Sequence, residues 1–298
     1  MDRIRTILAA TDFSAHAELA TQRAGLLARD LDAGLELIHV HTGLGPGPIW
    51  SDPGGGVLID ESRIVENLRE RLETVREALQ RKYSITAHAI IQTGTVHRRV
   101  HERARDVQAD LVVIGATGAG AIARRLFGSR AQTLVRTAQR PVLVVRQPVA
   151  DAYRRVLVAT DFSDDAERAA RLGMTLAPEA AFTFLTTLDL PAHHSEPVMG
   201  LDETERAARL QAAREHARKQ LRALADKHGH EASAILVRDG RAADELPDIA
   251  REIDAELLCI GAHGKSRLEA GLLGSTSLHA VAEAPCDVLV APHRAEDT

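Results

Sequence analysis

The chain has 298 residues, of which 45% are hydrophobic and 27% charged, enough for two domains with separate cores. A net charge of −5 excludes the basic face of a general nucleic-acid binder, and aromatics at 3% exclude the stacking platforms of single-strand binders. The cores must be built from Leu, Val, Ile and Ala, a bias that suits buried parallel strands between helices.

The opening MDRIRTILAATDFS carries charges where a signal peptide needs its apolar stretch. No apolar run approaches the ~20 residues that span a bilayer, so no membrane partner is expected. Cys259 and Cys286 form no CxxC pair and no disulfide framework. These features together predict a reduced, cytoplasmic location.

In chain order, strands are predicted at 4–10, 35–40, 86–92, 110–115 and 141–146, alternating with helices at 15–31, 60–81, 95–107 and 129–138. Ser14 and Thr95 stand where N-caps belong. After a short linker, QPVADAY at 147–153, the rhythm resumes. Strands are predicted at 154–159, 182–188, 232–238, 256–261 and 287–291, and helices at 164–177, 202–228, 241–253 and 276–284. Pro247 should shorten or kink the third of these helices. Two Gly- and Pro-rich segments, 43–56 and 189–200, follow the second strand of each half and read as surface loops able to cover a ligand. The Glu/Arg-laced helices 60–81 and 202–228 read as solvated faces.

The second series repeats the first. ILAATDFS at 7–14 returns as VLVATDFS at 156–163, an offset of 149, and ADLVVIGATG at 109–118 returns as AELLCIGAHG at 255–264, an offset of 146. LFGS at 126–129 returns as LLGS at 272–275. Ordered landmarks at nearly constant spacing identify a tandem duplication. The expected fold is therefore α/β: two tandem open-sheet domains, 1–147 and 153–298, each a parallel sheet with helices on both faces.

The sharpest motif is G-x2-G-x9-G-[ST], found in both halves as Gly115, Gly118, Gly128, Ser129 and as Gly261, Gly264, Gly274, Ser275. The first glycine directly follows a buried strand, where a side chain would push a ligand off the backbone and a tight turn needs free φ. The last glycine and the serine open a helix, whose unpaired N–H groups and dipole form an anion site. Such a loop suits two or three phosphates, whereas a single GxxG would be read as a turn.

Asp12 and Asp161 lie within the identical TDFS segments. At a strand's carboxyl end, each is placed either to bind a ribose or base amine or to serve as a helix cap or turn residue. A third contact is expected from main-chain groups near Val40 and Leu188, which can pair with an adenine edge. Metal ligation is not expected. His39 and His41 share a strand face, but no carboxylate or Cys completes a set, and His193–His194 sits in a loop. No Walker, GxSxG or HExxH motif is present.

TDFS after the first strand, followed by the two glycine loops, resembles the universal stress protein family in its tandem two-domain, ATP-binding form. The resemblance covers essentially the whole chain. It implies Rossmann-like, adenine nucleotide alpha hydrolase-like domains, each with a five-stranded parallel sheet. It further implies ATP or another adenine nucleotide at the carboxyl edge, with Mg²⁺, and pairing through the fifth strands. That pairing is read as an intrachain pseudo-dimer, with a homodimer left open. On this resemblance Asp12 and Asp161 contact the nucleoside, and the glycines with Ser129 and Ser275 hold phosphate.

Family members often carry a further hydroxyl two residues beyond the Gly-Ser pair. The second half has Thr276 and Ser277, the first Arg130 and Ala131. Arg130, with Arg124 and Arg125, replaces those contacts or forms a solvated basic face. Lys265 is either a phosphate neighbour or a surface lysine. The second site is therefore expected to be the more complete.

The functional expectation is a nucleotide-binding sensor or regulator in a stress response and not an enzyme, with slow ATP hydrolysis left open. The alternative is a ligand-free interaction protein with a degenerate first site. An adenylating enzyme would need its glycine loop after the first strand, where only TDFS stands.

Overall fold

The computed structural model describes residues 3–43, 61–118, 127–189, 203–229, 232–264 and 273–292. Apart from Gly43 and Asp189, the two Gly- and Pro-rich segments fall outside the described residues, as do Arg124, Arg125, His193, His194 and Lys265. The chain divides into two compact units, Ile4–Asp151 and Ala152–Thr298.

The first unit runs β1 (Thr6–Ala10), α1 (Ala15–Leu31), β2 (Gly34–His41), α2 (Glu61–Tyr83), β3 (Ala87–Thr93), α3 (Val96–Asp106), β4 (Leu111–Gly115), α4 (Ser129–Arg136) and β5 (Val142–Val145). The strands TILAA, LVVIG and VLVV are nearly continuous aliphatic runs, as expected of strands covered on both faces. Every pairing is parallel, in the order β3-β2-β1-β4-β5. Helix α1 packs on β1, β4, β5 and α2, while α3 packs on β2 and α4, giving a helical layer on each face. Ile7, Leu8, Leu37, Val113 and Leu143 are fully buried at 0% exposure. Each such side chain contributes about 1.5–3 kcal/mol of burial free energy.

The second unit repeats the plan with β6 (Arg155–Ala159), α5 (Asp164–Leu176), β7 (Ala181–Leu188), α6 (Glu203–Lys227), β8 (Ala234–Asp239), α7 (Ala242–Glu252), β9 (Leu257–Gly261), α8 (Ser275–Glu283) and β10 (Asp287–Ala291). Its strands are again parallel, in the order β8-β7-β6-β9-β10.

This strand order creates one special position in each unit. The chain adds β2 and β3 on one side of β1, then crosses back to lay β4 and β5 on the other. The connections leaving β1 and β4 therefore diverge to opposite faces, opening a crevice at their carboxyl ends where ligands bind in open α/β sheets. Both TDFS and the glycine loop leave the sheet at this point. In the second unit, β6 and β9 take the same places.

Two local expectations are corrected. Pro247 does not shorten its helix: α7 has 11 residues, like its counterpart α3. Leu246, Pro247, Ile249 and Ala250 are all buried, and this packing holds the turn despite the missing N–H. Thr95 occupies the N-cap position of α3, but its side chain makes no capping bond, whereas Ser14 Oγ accepts from Ala17 N. Cys259 and Cys286 are buried and form no disulfide. Burial pushes the Cys259 thiol well above its ordinary value.

Candidate functional site

Each TDFS segment folds into a chain of local hydrogen bonds. In the first unit, Thr11 Oγ1 accepts from Phe13 N at 3.1 Å, Asp12 Oδ1 from Ser14 N at 3.0 Å, and Ser14 Oγ from Ala17 N at 3.2 Å. The second unit repeats this with Thr160, Asp161 and Ser163 at 2.8, 3.0 and 3.4 Å. Short polar side chains thus satisfy the N–H groups that a tight strand-to-helix turn would leave open. They also hold Phe13 and Phe162 in the left-handed region, with φ of 61° and 63°. The turn reading of Asp12 and Asp161 is the one that these hydrogen bonds show. Oδ1 closes the turn, while Oδ2 faces the glycine loop, so close that a Cβ on Gly118 would lie 2.6 Å from Asp12 Oδ2. In the second unit the Gly264–Asp161 distance is 2.9 Å.

The first glycine of each motif has a different reason from the one expected. A Cβ on Gly115 would lie 2.7 Å from the backbone C and O of His16, and one on Gly261 would lie 2.7 Å from Ala166 N. These glycines let the strand end press against the first turn of α1 or α5. Nor do the motif glycines supply free φ: among the described residues, the glycines with positive φ are Gly43, Gly94, Gly229 and Gly240.

The loop then returns to the strand end, where Gly128 N donates to Ala116 O at 2.9 Å and Gly274 N to Ala262 O at 2.8 Å. These glycines are the N-cap residues of α4 and α8 and bring no capping side chain of their own. The first-turn N–H groups therefore retain their anion-binding character. Ser129, Arg130 and Ser275 are exposed at these helix starts, and Thr276 is half-buried. Ser277 departs from the expected role. It is 8% exposed, and its Oγ donates to Gly261 O at 2.8 Å. Its hydroxyl fastens α8 to the end of β9; the corresponding residue of the first unit is Ala131.

The main-chain expectation at β2 and β7 is shifted by one residue. Thr11 N donates to Ile38 O and Thr160 N to Leu185 O, while His41 O accepts from Gly94 N and Leu188 O from Gly240 N. Leu188 is thus the counterpart of His41, and Val40 that of Thr187. The Leu188 carbonyl already closes the ladder to β8.

His39 is a structural histidine. Its Nδ1 donates to Thr11 O at 2.8 Å, and its ring lies 4.6 Å from that of Phe13, over which Arg71 sits at 4.4 Å. Burial, more than the nearby His41 and Arg71 charges, holds its pKa below the ordinary value. Among the described residues, no group of three or more His, Cys, Asp or Glu side chains is arranged to hold a metal ion.

The structure also brings together residues that the sequence reading passed over. Thr117 Oγ1 is hydrogen-bonded to His16 Nδ1 at 2.7 Å in the first unit. At the matching positions of the second, His263 Nδ1 meets Asp165 Oδ2 at 3.0 Å. The available signal was the repeat itself, because both members of the pair differ between the halves and differ in complementary ways. In addition, Ser163 Oγ lies 3.4 Å from His263 O, as donor to that carbonyl.

Comparisons with known proteins agree with this architecture. The family model described as "Universal stress protein family" matches residues 3–146 and again 152–292. A universal stress protein of Mycolicibacterium smegmatis is 28% identical over 301 residues, covering 95% of this chain and 96% of that one. The universal stress protein E homolog of Haemophilus influenzae is 27% identical over 208 residues, covering 66% and 67%. The crystal structure of a universal stress protein from Archaeoglobus fulgidus superposes with a TM-score of 0.68 at 18% identity, covering 97% of this chain and 98% of that one, a likeness of fold. With the family model matching twice and each match containing one β1 turn and one glycine loop, the chain belongs to the universal stress protein family, in its tandem two-domain form.

Proposed function

We propose that this chain binds an adenine nucleotide, ATP in the first instance, at the carboxyl edge of each unit, and that occupancy regulates its part in a stress response. The observation that carries the reading is the meeting, at the switch point between β1 and β4 and between β6 and β9, of a carboxylate and a helix start whose N-cap glycine brings no capping side chain. The helix start suits phosphate oxygens by its N–H groups and dipole. Asp12 or Asp161, with Oδ1 already bound to Ser14 N or Ser163 N, turns Oδ2 toward the loop and suits a ribose hydroxyl or base amine. Gly118, Gly128 and Ser129, and Gly264, Gly274 and Ser275, would line the phosphate path, with Arg130 and Thr276 as its neighbours. Gly115 and Gly261 support that path from beneath. The main chain near Val40 and Leu188 would border the base.

Mg²⁺ would accompany a triphosphate as its counter-ion, held by phosphate oxygens and water. The reading is of a binding protein, since each Asp is already tied into its turn and is better suited to the nucleoside than to activating water. Mass spectrometry of the natively purified protein, followed by calorimetry with ATP, tests it. One or two equivalents of adenine nucleotide per chain are expected. Absence of binding by both measurements would favour the ligand-free interaction protein, and steady turnover of added ATP would make it an enzyme.

A further inference from the structure

In each unit, one side chain from the glycine loop reaches one from the first turn of the helix after TDFS, α1 or α5. The loop member directly precedes the second glycine of the motif: Thr117 before Gly118, His263 before Gly264. The helix member lies two residues beyond the serine of TDFS: His16 after Ser14, Asp165 after Ser163. Both bonds are short, 2.7 Å for Thr117–His16 and 3.0 Å for His263–Asp165. One partner of each is buried, with Thr117 and Asp165 each 5% exposed, while His16 and His263 are half-buried. Each position holds a different residue in the two units, giving an alcohol with an imidazole in one and an imidazole with a carboxylate in the other. Both preserve a bond at the same place. Changing one partner alone would remove this bond between the loop and the helix turn.

The location gives the pair its meaning. The helix member rides on the turn that aims the Asp carboxylate, and the loop member rides on the segment that would carry the phosphates. The backbone of the same helix turn is pressed against Gly115 or Gly261. We infer that Thr117–His16 and His263–Asp165 are clasps that set the separation between the nucleoside-binding carboxylate and the phosphate-binding loop, making these four positioning residues for nucleotide binding. This rests on the nucleotide-binding reading above, since a clasp between two subsites matters only if one ligand spans both. In the second unit the clasp is reinforced by Ser163 Oγ on His263 O and by Ser277 Oγ on Gly261 O. That unit's cradle is the more firmly pre-formed, and pre-forming a site removes part of the cost of binding.

The test uses the full chain and exchanges one unit's clasp for the other's. Asp165→Ala and His263→Ala break the second clasp, while the double variant Asp165→His with His263→Thr installs the first unit's pair. In ligand-free protein, hydrogen exchange at residues 262–264 should rise about tenfold in each single variant and return toward wild type in the double variant. In ATP calorimetry the second-unit site should weaken about tenfold in the single variants and recover in the double, with the first-unit site unchanged. Unchanged exchange in the single variants would overturn the clasp. Faster exchange with unchanged ATP affinity would make the pair structural only and overturn the positioning role. Failure of wild-type protein to bind ATP would overturn the nucleotide reading instead, with the exchange measurement still showing whether the clasp holds the loop.

Discussion

Asp12 Oδ2 occupies the space that a side chain on Gly118 would need, since a Cβ there would come within 2.6 Å of it. The carboxylate cannot yield easily, because its other oxygen accepts the Ser14 N–H at 3.0 Å. Glycine at this position is therefore a condition for aiming the carboxylate. Gly118→Ala, or Gly264→Ala against Asp161, should turn the acid out of its Asx turn at a cost of about 1 kcal/mol in stability. Nucleotide affinity in the altered unit should fall about tenfold, read by calorimetry beside a thermal melt. A melt lowered without loss of affinity would show that the carboxylate does not meet the ligand.

The first glycine should behave differently. Gly115→Ala and Gly261→Ala drive a methyl against helix backbone at 2.7 Å, and backbone cannot rotate away. Overpacking of this kind costs about 1–3 kcal/mol, so these variants should melt several degrees lower whether or not nucleotide is present. Gly274→Ala meets its first neighbour, Ala262 O, at 3.3 Å and should be the milder substitution for stability. Chemical denaturation of the set in the absence of ligand checks the order.

Ser277→Ala removes a buried hydroxyl from Gly261 O and should cost about 1–2 kcal/mol. The reciprocal Ala131→Ser offers the first unit the same brace. If the brace explains the difference between the loops, hydrogen exchange after β4 should slow in Ala131→Ser and exchange after β9 should quicken in Ser277→Ala.

Stability should fall in mild acid. His39, His101 and His228 are each held below the ordinary imidazole value, first of all by burial. The unfolded chain takes up protons near pH 6.5, while the folded chain resists until lower pH, so protonation favours unfolding across that interval. Stability is thus unaffected by these groups above about pH 7 and declines as pH drops through 6.5 toward their lower folded values. Glu167, held below the carboxylate range chiefly by its hydrogen bond from Lys227, adds a further loss at more acid pH. His39→Asn, whose amide can still donate to Thr11 O, should flatten the first part of this decline in denaturation midpoints measured from pH 8 to 5.

The duplication, the alternation of strands and helices, and the glycine loop after the fourth strand of each half were all legible in the sequence. Those features depend on local period and on repeated words, and most element ends fall within two residues of the expected ones. Local turn chemistry was legible too, as with the acid in TDFS that closes its turn on Ser14 N or Ser163 N. Site residues were less legible where a residue serves through a neighbour. Ser277 reads as a phosphate hydroxyl until the structure shows Gly261 O beside it, and Val40 and Leu188 read as partners until the ladders shift their correspondence by one.

The sequence by itself determined that two like α/β units would form, because aliphatic periodicity and turn chemistry act over a few residues. Only the tertiary structure decided which neighbours the motif glycines and Ser277 meet. The strand order sets β1 beside β4, bringing Gly115 against His16 and Gly118 against Asp12 across about a hundred residues of chain. A glycine in sequence is a missing side chain with no stated reason. Packing supplies the reason, because it names the atom that the side chain would have struck.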